Sequence, residues 1–355
     1  MSLTIKALIR WKEVLLITFL TRLSLFIFVY LTNTDSRINY FPVWNRWDGP
    51  HYIDIARNGY QTSGESALFI VFYPLYPFLV KLTALLVSDF TIAIILVSLF
   101  FAFVAAIFLF ELTLLDFNKH TAILSVWFLN IFPLSYFLQA SYTESLFLAL
   151  SLATIYFFRA RKFKFSLLFG ILSSLTRING LLLPPILFLE GKFNKKELLP
   201  ILFTPLGFMI YLGINYYYFH EPFYFFKPLL NNWYKRSEWP WVGIMNAIHS
   251  VPATSNSNFY IFFSEVVAIF FLLAMTIYVF FKVKYSYGVY MLLNFLLITS
   301  TSFILSAPRY SLILFPMYIA FAKINHQKIL ILISLVFLLF LFFMTWVYTQ
   351  GKWAY

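Results

Sequence analysis

A short polar stretch near the N-terminus holds residue types that could do chemistry. It runs from Asn45 to Tyr60 between two long apolar segments, with Asp48 and His51 three positions apart and Arg46 just before them. A carboxylate can take a proton from a hydroxyl group, and a cation can hold an anionic substrate. The stretch is therefore a candidate active site at a membrane surface, within reach of a lipid-linked substrate.

Other polar residues in apolar surroundings could join this stretch. An intramembrane Arg, Asp or Lys costs at least about 2.5–3.5 kcal/mol near the bilayer centre, so such residues persist where they pair, line a cavity or act on a substrate. An acidic group beside several cations suits glycosyl transfer from a polyprenyl-phosphate sugar, because the carboxylate can deprotonate the acceptor while the cations stabilise the departing phosphate. The candidates are Arg46, Asp48, His51, Tyr73, Glu144, Arg177, Asn179, Arg309 and Tyr310.

These candidates also have structural interpretations. Asp48 could pair with Arg46 or cap a short helix that starts near Pro50. Glu144 could favour the N-terminus of the helix that follows it. Arg309 could extend its side chain to the lipid headgroups.

The first polar stretch could also bind a metal. Asp48, His51 and Asp54 are spaced by three residues and could meet a divalent ion on one helical face. Their spacing matches no dedicated metal motif. We therefore predict no metal ligands, and we expect neither an obligatory divalent cation nor another cofactor.

The composition predicts the class of the protein. Hydrophobic residues make up 61% of the 355 residues, and Phe alone occurs 46 times. Segments such as 92–110 and 329–347 exceed the roughly 18 apolar residues that indicate a membrane-spanning helix. We predict an all-α, polytopic transmembrane helical bundle, an integral multi-pass protein with the lipid bilayer as a partner and a single domain over residues 1–355.

The charges and the absence of Cys exclude several classes of function. The net charge is +12, which fits Lys and Arg gathered in cytoplasmic loops. The basic clusters lie between apolar segments and carry no nucleic-acid motif, so we expect no nucleic acid partner. The chain contains no Cys, which excludes disulfides, Cys-ligated metals and thiol nucleophiles.

Basic residues also predict the topology. Lys6, Arg10 and Lys12 place the N-terminus in the cytoplasm, and basic turns follow on the same side at 159–164, 192–196, 282–284 and 323–328. Two outer loops, at about 33–66 and 220–258, then lie on the side of the candidate site. The predicted straight spans are 14–31, 92–110, 122–138, 146–158, 198–219, 259–281, 289–305, 311–322 and 329–348.

Two further segments are irregular and bring the total to about 9–11 membrane segments. Segment 68–87 contains Pro74 and Pro77, which break helix regularity, and it is predicted to be re-entrant. Segment 165–190 is too short for two spans of about 20 residues each. We predict a bent hairpin there, with Arg177 near its outer tip. The loop 220–258 is rich in Trp and Tyr, which indicates either an anchor in the headgroup layer or a platform for sugars.

Five motifs occur in order along the chain and together span most of it. They are Trp47-Asp48-x-x-His51-Tyr52 with Gly59-Tyr60, Phe72-Tyr73-Pro74-Leu75-Tyr76-Pro77, Asn130-x-Phe132-Pro133 through Ser141-Tyr142-Thr143-Glu144-Ser145, Thr176-Arg177-x-Asn179-Gly180, and Arg309-Tyr310 with Phe315-Pro316. Any one motif is weak, but the five in sequence resemble the PIG-V family, the GPI mannosyltransferase II enzymes and their prokaryotic relatives.

The resemblance implies the GT-C architecture of multi-spanning, lipid-phosphate-dependent glycosyltransferases, with outer-face loop helices. It implies an inverting transfer of a hexose, with mannose expected, from a dolichyl- or polyprenyl-phosphate donor, and Asp48 as the general base. Pro-Leu-Tyr-Pro stands here in place of the family's Pro-Gly-Phe-Pro. A glycan, glycolipid or glycoprotein acceptor at a prokaryotic plasma membrane, with the active site facing outside, is therefore expected instead of a GPI precursor.

Two other classes remain open from the sequence. A transporter or flippase of a lipid-linked or amphipathic solute would expose its polar path to both leaflets, and such folds often contain internal repeats. The unusual polar residues here gather on one side and no repeat is evident, which favours an enzyme. A non-catalytic partner subunit that keeps the fold is the third possibility.

Overall fold

The computed structural model describes residues 3–33, 40–192, 194–251 and 256–354, with side chains except for 3–8 and 256–258. Within these ranges the chain is helical, and its β-pairing is limited to one isolated bridge between Ser237 and Thr301. The α-helices are α1 (Leu3–Thr32), α2 (Gly49–Asn58), α3 (Leu75–Val87), α4 (Phe90–Leu114), α5 (Lys119–Ile131), α6 (Glu144–Arg159), α7 (Phe163–Ser174), α8 (Leu183–Glu190), α9 (Lys195–Phe203), α10 (Leu206–Phe219), α11 (Phe226–Asn231), α12 (Pro240–Ser250), α13 (Asn256–Lys282), α14 (Tyr285–Thr299), α15 (Ala307–Ser311), α16 (Pro316–Ala322) and α17 (Gln327–Thr349). Short 3-10 helices cover Pro42–Trp44, Glu65–Val71, Ser135–Leu138 and Ile178–Leu182.

Within the described ranges, five helical stretches are long and apolar enough to cross a membrane. Each contains 23–25 residues, which corresponds to about 35 Å at 1.5 Å per residue and exceeds the hydrocarbon thickness of about 30 Å. The protein is therefore an integral, multi-pass membrane protein, as predicted. The five stretches are Ile9–Thr32, Phe90–Leu114, Lys195–Phe219, Phe259–Lys282 and Gln327–Thr349.

Both segments that were predicted to be irregular are broken in the structure. The helices Glu65–Val71 and Leu75–Val87 meet at an angle of 113°. The helix Phe163–Ser174 ends before Arg177, and a 3-10 helix then leads into α8. Pro74 lies at the break of the first segment, whereas the second segment is too short to hold two spans of about 20 residues each.

Three of the predicted straight spans are not straight spans in the structure. The span at 122–138 breaks after Ile131, ahead of Pro133, and resumes as the 3-10 helix Ser135–Leu138. The span at 289–305 ends at Thr299, and the span at 311–322 contains the last residue of α15 and, after a break, the seven residues of α16. Proline lacks the N–H group that continues a helix, and short helices surrounded by protein need not cross the bilayer alone.

The helices place two chemically different ends at opposite sides of the bundle. α6 has 16 residues from Glu144 to Arg159, so its ends lie about 22 Å apart. At the Arg159 end, that guanidinium donates from Nη2 to Asp116 Oδ1 at 2.6 Å, and Lys284 pairs with Glu190 at 2.8 Å. Glu144 instead lies at the end that carries the candidate site.

The predicted basic turns share the end that contains Arg159. Arg161 pairs with Glu197 at the start of α9, and Lys323 donates from Nζ to the carbonyl oxygen of Lys282 at 2.6 Å. Packing therefore gathers the basic clusters at one end, and the side of the membrane on which they lie stays a prediction. The Lys6 side chain, residue 193 and parts of both predicted outer loops (34–39 and 252–255) lie outside the described residues.

Candidate functional site

The chain reverses direction just before α2 and presents Asp48 there. Trp47 has a φ of 55°, a left-handed conformation that costs a bulky residue energy and is often found at functional sites. Asp48 precedes the first residue of α2, as a helix cap would, but its side chain makes no capping hydrogen bond. Its Oδ2 instead accepts a hydrogen bond from Arg309 Nη1 at 3.0 Å. The interpretations of Asp48 as a cap or as a partner of Arg46 are therefore wrong.

Glu144 extends this ion pair into a network. It is fully buried, its Oε1 accepts from Arg177 Nη1 at 2.7 Å, and Arg309 Nε lies 3.7 Å from the same oxygen. Arg177 also donates to Thr143 Oγ1 at 3.0 Å. A buried carboxylate is tolerated because it is paired in this way. Arg309 thus joins the carboxylates of Asp48 and Glu144.

Tyr310 lies among three cations. The guanidinium groups of Arg177 and Arg309 lie 5.5 and 5.3 Å from the centroid of its ring, and Lys235 Nζ lies 5.2 Å from it. Lys235 also donates to the Tyr310 hydroxyl at 3.3 Å. Burial alone would raise the pKa of Tyr310, but the positive charges of Lys235, Arg309 and Arg177 lower this pKa to about 8.

His51 and Tyr73 are set among aromatic rings. The His51 ring lies 4.2 Å from that of Phe69, and burial lowers the pKa of the imidazole although the nearby Asp48 charge opposes this shift. Tyr73 stacks on Tyr211 with 4.1 Å between the centroids. The buried Tyr73 hydroxyl has no hydrogen-bond partner in the described part of the chain.

Eight of the nine candidate residues line one cavity of about 640 Å³. They come from five separate regions of the sequence, which the bends at 72–74 and 175–177 help to bring together. The eight are Asp48, His51, Tyr73, Glu144, Arg177, Asn179, Arg309 and Tyr310. Arg46 lies apart, since its Nη2 donates to the carbonyl oxygen of Thr349 at 3.2 Å and it does not line the cavity.

Two residues of the loop before α12 complete the cavity. The sequence places them on the second outer loop, on the side of the candidate site, but they are not among the nine candidates. Lys235 and Arg236 line the cavity, and neither has a carboxylate within ion-pair distance among the residues with described side chains. Their position between Trp233 and Trp239, on a loop opposite the first one, is the sequence signal that could have identified them. Arg309 and Arg177, by contrast, already have carboxylate partners.

Glu265 is a second residue that sequence reasoning missed. Its Oε1 accepts from the backbone N–H of Ser306 at 2.6 Å and its Oε2 from that of Ala307 at 2.8 Å. These bonds hold the turn that begins α15, two residues before Arg309. An acidic residue inside the apolar span Phe259–Lys282 is the signal that could have found it.

The three residues considered for a metal do not converge. Asp54 Oδ1 accepts from Asn58 Nδ2 at 2.7 Å on the same helix, and Asp54 does not line the cavity. Among the described residues, no group of three or more potential metal ligands occurs.

The cavity therefore combines one partly exposed carboxylate, a network of ion pairs and two cations without a carboxylate partner among the described side chains. Asp48 has 29% of its side chain exposed, against 1% for Glu144. Of these two carboxylates, Asp48 is therefore the one that a bound hydroxyl can reach without rearrangement. Lys235 and Arg236 supply positive charge that an anionic group could neutralise.

No family model and no curated protein matches this chain. Among solved structures, the chain is similar to the crystal structure of the oligosaccharyltransferase of Archaeoglobus fulgidus, tethered through a disulfide bond to an acceptor peptide with the NVT sequon. The identity is 11%, the TM-score is 0.45, and the match covers 98% of this chain. The chain spans 56% of the length of that oligosaccharyltransferase. The likeness does not carry an assignment of function, which rests on the site itself.

Proposed function

We propose that the protein is a membrane glycosyltransferase of the GT-C type. It moves a hexose, with mannose as the expected sugar, from a polyprenyl- or dolichyl-phosphate donor to an acceptor hydroxyl at the outer face, with inversion. The proposal depends on one observation above all: the partly exposed Asp48 carboxylate shares a cavity with Lys235 and Arg236, which have no carboxylate partner among the residues with described side chains.

Asp48 is suited to the role of general base. Arg309 occupies Oδ2, and Oδ1 has no hydrogen-bond partner among the described side chains and backbone groups. This oxygen can accept the proton of the acceptor hydroxyl while Arg309 holds the carboxylate in position. The acceptor oxygen then attacks C1 of the sugar, and the bond from C1 to the phosphate oxygen breaks.

The charge balance of the site favours Lys235 as the first phosphate contact. Arg177 and Arg309 are partly neutralised by Glu144 and Asp48, so an additional anion gains less from them than from Lys235. Lys235 lies beside the Tyr310 hydroxyl, and this pair can stabilise the charge that appears on the departing phosphate. Arg177 and Arg309 then do not contact the phosphate first. They orient the carboxylates of Glu144 and Asp48.

The packing of α6 supports an enzyme over a transporter. Every residue from Glu144 to Ile155 is buried, so this helix fills the bundle between the cavity and the opposite end. A transporter would need a polar path for its solute from the cavity to the opposite end of the bundle, past the buried residues of α6. The described polar groups at the other end, around Asp116 and Arg159, pair with each other and lie about 22 Å away.

The direct test is sugar transfer by the reconstituted protein. With radiolabelled polyprenyl-phosphate-mannose and a panel of acceptors, Asp48→Asn is expected to lower kcat by about 10²–10⁴-fold, the typical contribution of a general base. Asp54→Asn is the matched control, because Asp54 lies on the same loop helix but outside the cavity. Near-normal transfer by Asp48→Asn would remove Asp48 as the base. A protein that transfers no sugar from any lipid-phosphate donor, but moves such a lipid across the vesicle, would be a flippase.

A further inference from the structure

A second cavity, of about 960 Å³, lies between α5 and α17 at the end opposite to the candidate site. Its mouth is formed by residues 117–121 and 322–327, at the start of both helices. Its walls are apolar and come from Leu124, Leu330, Leu335 and Leu338, among others. The cavity is therefore a groove with a polar mouth and apolar sides.

The dimensions of the groove match one leaflet of a bilayer. From Gln327 at the mouth to Leu338 at the far end, α17 rises about 16 Å. Half of a hydrocarbon core of about 30 Å is about 15 Å. α17 is a membrane-spanning helix of which 11% is buried, so the groove opens toward the lipid phase. An acyl chain that enters from the bilayer can lie along it without leaving its own leaflet.

The mouth of the groove is basic. Lys323 and His120 line it, and no Asp or Glu with a described side chain does. Lys323 Nζ donates to the carbonyl oxygen of Lys282 at 2.6 Å and lies 4.9 Å from the Phe117 ring. Because no carboxylate of the described residues pairs with it, its charge is available to an anion.

Inside the groove, two polar side chains form a hydrogen bond with each other. Trp127 Nε1 donates to Ser334 Oγ at 3.0 Å, which links α5 to α17 across the floor. The groove thus combines an anion-binding mouth with an apolar interior. Basic pockets between membrane helices on the cytoplasmic side bind anionic lipid headgroups.

We infer that this groove binds one phospholipid with an anionic headgroup, in the leaflet on the side of the basic turns. Lys323 and His120 hold the headgroup phosphate, and one acyl chain packs along Leu330, Leu335 and Leu338. This lipid is distinct from the proposed sugar donor, because the two cavities lie at opposite ends of the bundle.

Lipid exchange followed by native mass spectrometry of the full chain tests the inference. The purified protein is exposed to equal amounts of dioleoyl phosphatidylglycerol and dioleoyl phosphatidylcholine. We expect one retained phosphatidylglycerol per chain, and a preference that falls about fivefold in Lys323→Ser, since one Lys near an anionic surface contributes about that factor. Lys352→Ser, just beyond the other end of α17, is the matched control and should keep the preference.

A second pair of variants tests the apolar part of the groove without changing charge. Leu335 lines the groove, whereas Leu339, one turn further along α17, faces lipid and does not. Leu335→Trp should fill the groove and abolish retention of both lipids, whereas Leu339→Trp should leave retention unchanged. This pair decides the question even if Lys323→Ser does not fold.

Three results would overturn the inference. They are equal retention of the two lipids by the parent protein, unchanged retention in Leu335→Trp, and a dimer of this chain that Leu335→Trp dissociates. The last result would mean that a second copy, and not a lipid, covers this face. None of these outcomes depends on sugar transfer.

Discussion

Arg309 Nη1 donates to Oδ2 of Asp48 across 261 positions of sequence. This contact connects the short helix α15 to the turn before α2, and it directs the Asp48 carboxylate away from the helix that it would otherwise cap. Glu265 fixes the start of α15, and Tyr142 lies under the Arg309 guanidinium at 4.8 Å. The geometry of the proposed base therefore depends on residues from four separate elements.

The first prediction concerns the stability of the buried network. Glu144→Gln should lower the free energy of unfolding by about 3–5 kcal/mol, because it leaves Arg177 without its buried partner. Glu221→Gln is the control, since Glu221 pairs with Lys227 at 2.7 Å on the exposed surface and should cost less than about 1 kcal/mol. Thermal unfolding in detergent measures both. Equal effects would show that the network around Glu144 contributes no more than a surface pair.

The second prediction concerns the donor phosphate. Lys235→Met should lower kcat/KM for the lipid-phosphate donor by about 10- to 100-fold, the range expected for losing one hydrogen bond to a charged group. Lys235→Arg should restore much of this loss because it keeps the charge. Lys227→Met, on the same loop but paired with Glu221, should change little. If the Lys235→Met protein keeps its donor KM and kcat, the phosphate lies elsewhere.

The third prediction concerns pH. The pKa of Tyr310 falls from 10.0 to about 8 in the folded protein, so folding favours the ionised hydroxyl. The resulting stability is fully present above about pH 10 and is lost as the pH falls through about 8. The free energy of unfolding of the parent, relative to Tyr310→Phe, should therefore rise between pH 8 and 10, by up to about 3 kcal/mol.

The difference in the free energy of unfolding between the parent and Tyr310→Phe can be followed, at each pH, as the separation between their unfolding temperatures. The tyrosinate absorbance of the parent minus that of Tyr310→Phe gives an independent readout over the same pH range. A constant separation, together with no extra tyrosinate below pH 9, would contradict the effect of the three cations.

The fourth prediction concerns topology. The chain contains no Cys, so a single introduced Cys can be labelled without background. Ser63→Cys, at the exposed end of the first outer loop, should react with an impermeant maleimide from outside the cell. Lys196→Cys, near the opposite end of the bundle, should react only after permeabilisation. The reverse pattern would invert the orientation and would remove the argument for a donor at the outer face.

Much of the site could be predicted from the sequence because the bilayer makes polar residues costly. Arg177 and Arg309 stand out in apolar segments for this reason, and both line the cavity. The cost of polar residues in the bilayer could not show that Asp48 lines the cavity and Arg46 does not, because both belong to one polar stretch. The left-handed Trp47 turns the chain between them and directs Arg46 to the Thr349 carbonyl.

The limits of span prediction have a similar physical origin. Length and hydropathy identify a helix that faces lipid, such as α17, but α6 is apolar because protein surrounds it. Segment 311–322 is apolar for the same reason, and Pro316 divides it. The sequence can place Lys235 on an outer loop, but its contact with Tyr310 arises from the packing of that loop against α15.

The burial of α6 limits the routes by which substrates and products of the proposed reaction can reach and leave the cavity. Because every residue of α6 from Glu144 to Ile155 is buried, the described structure leaves no polar path along this helix for the donor, the acceptor or the products. In the proposed reaction, the sugar-free carrier phosphate is then released into the same leaflet that delivered the loaded carrier, and its return for reloading requires a separate transport step.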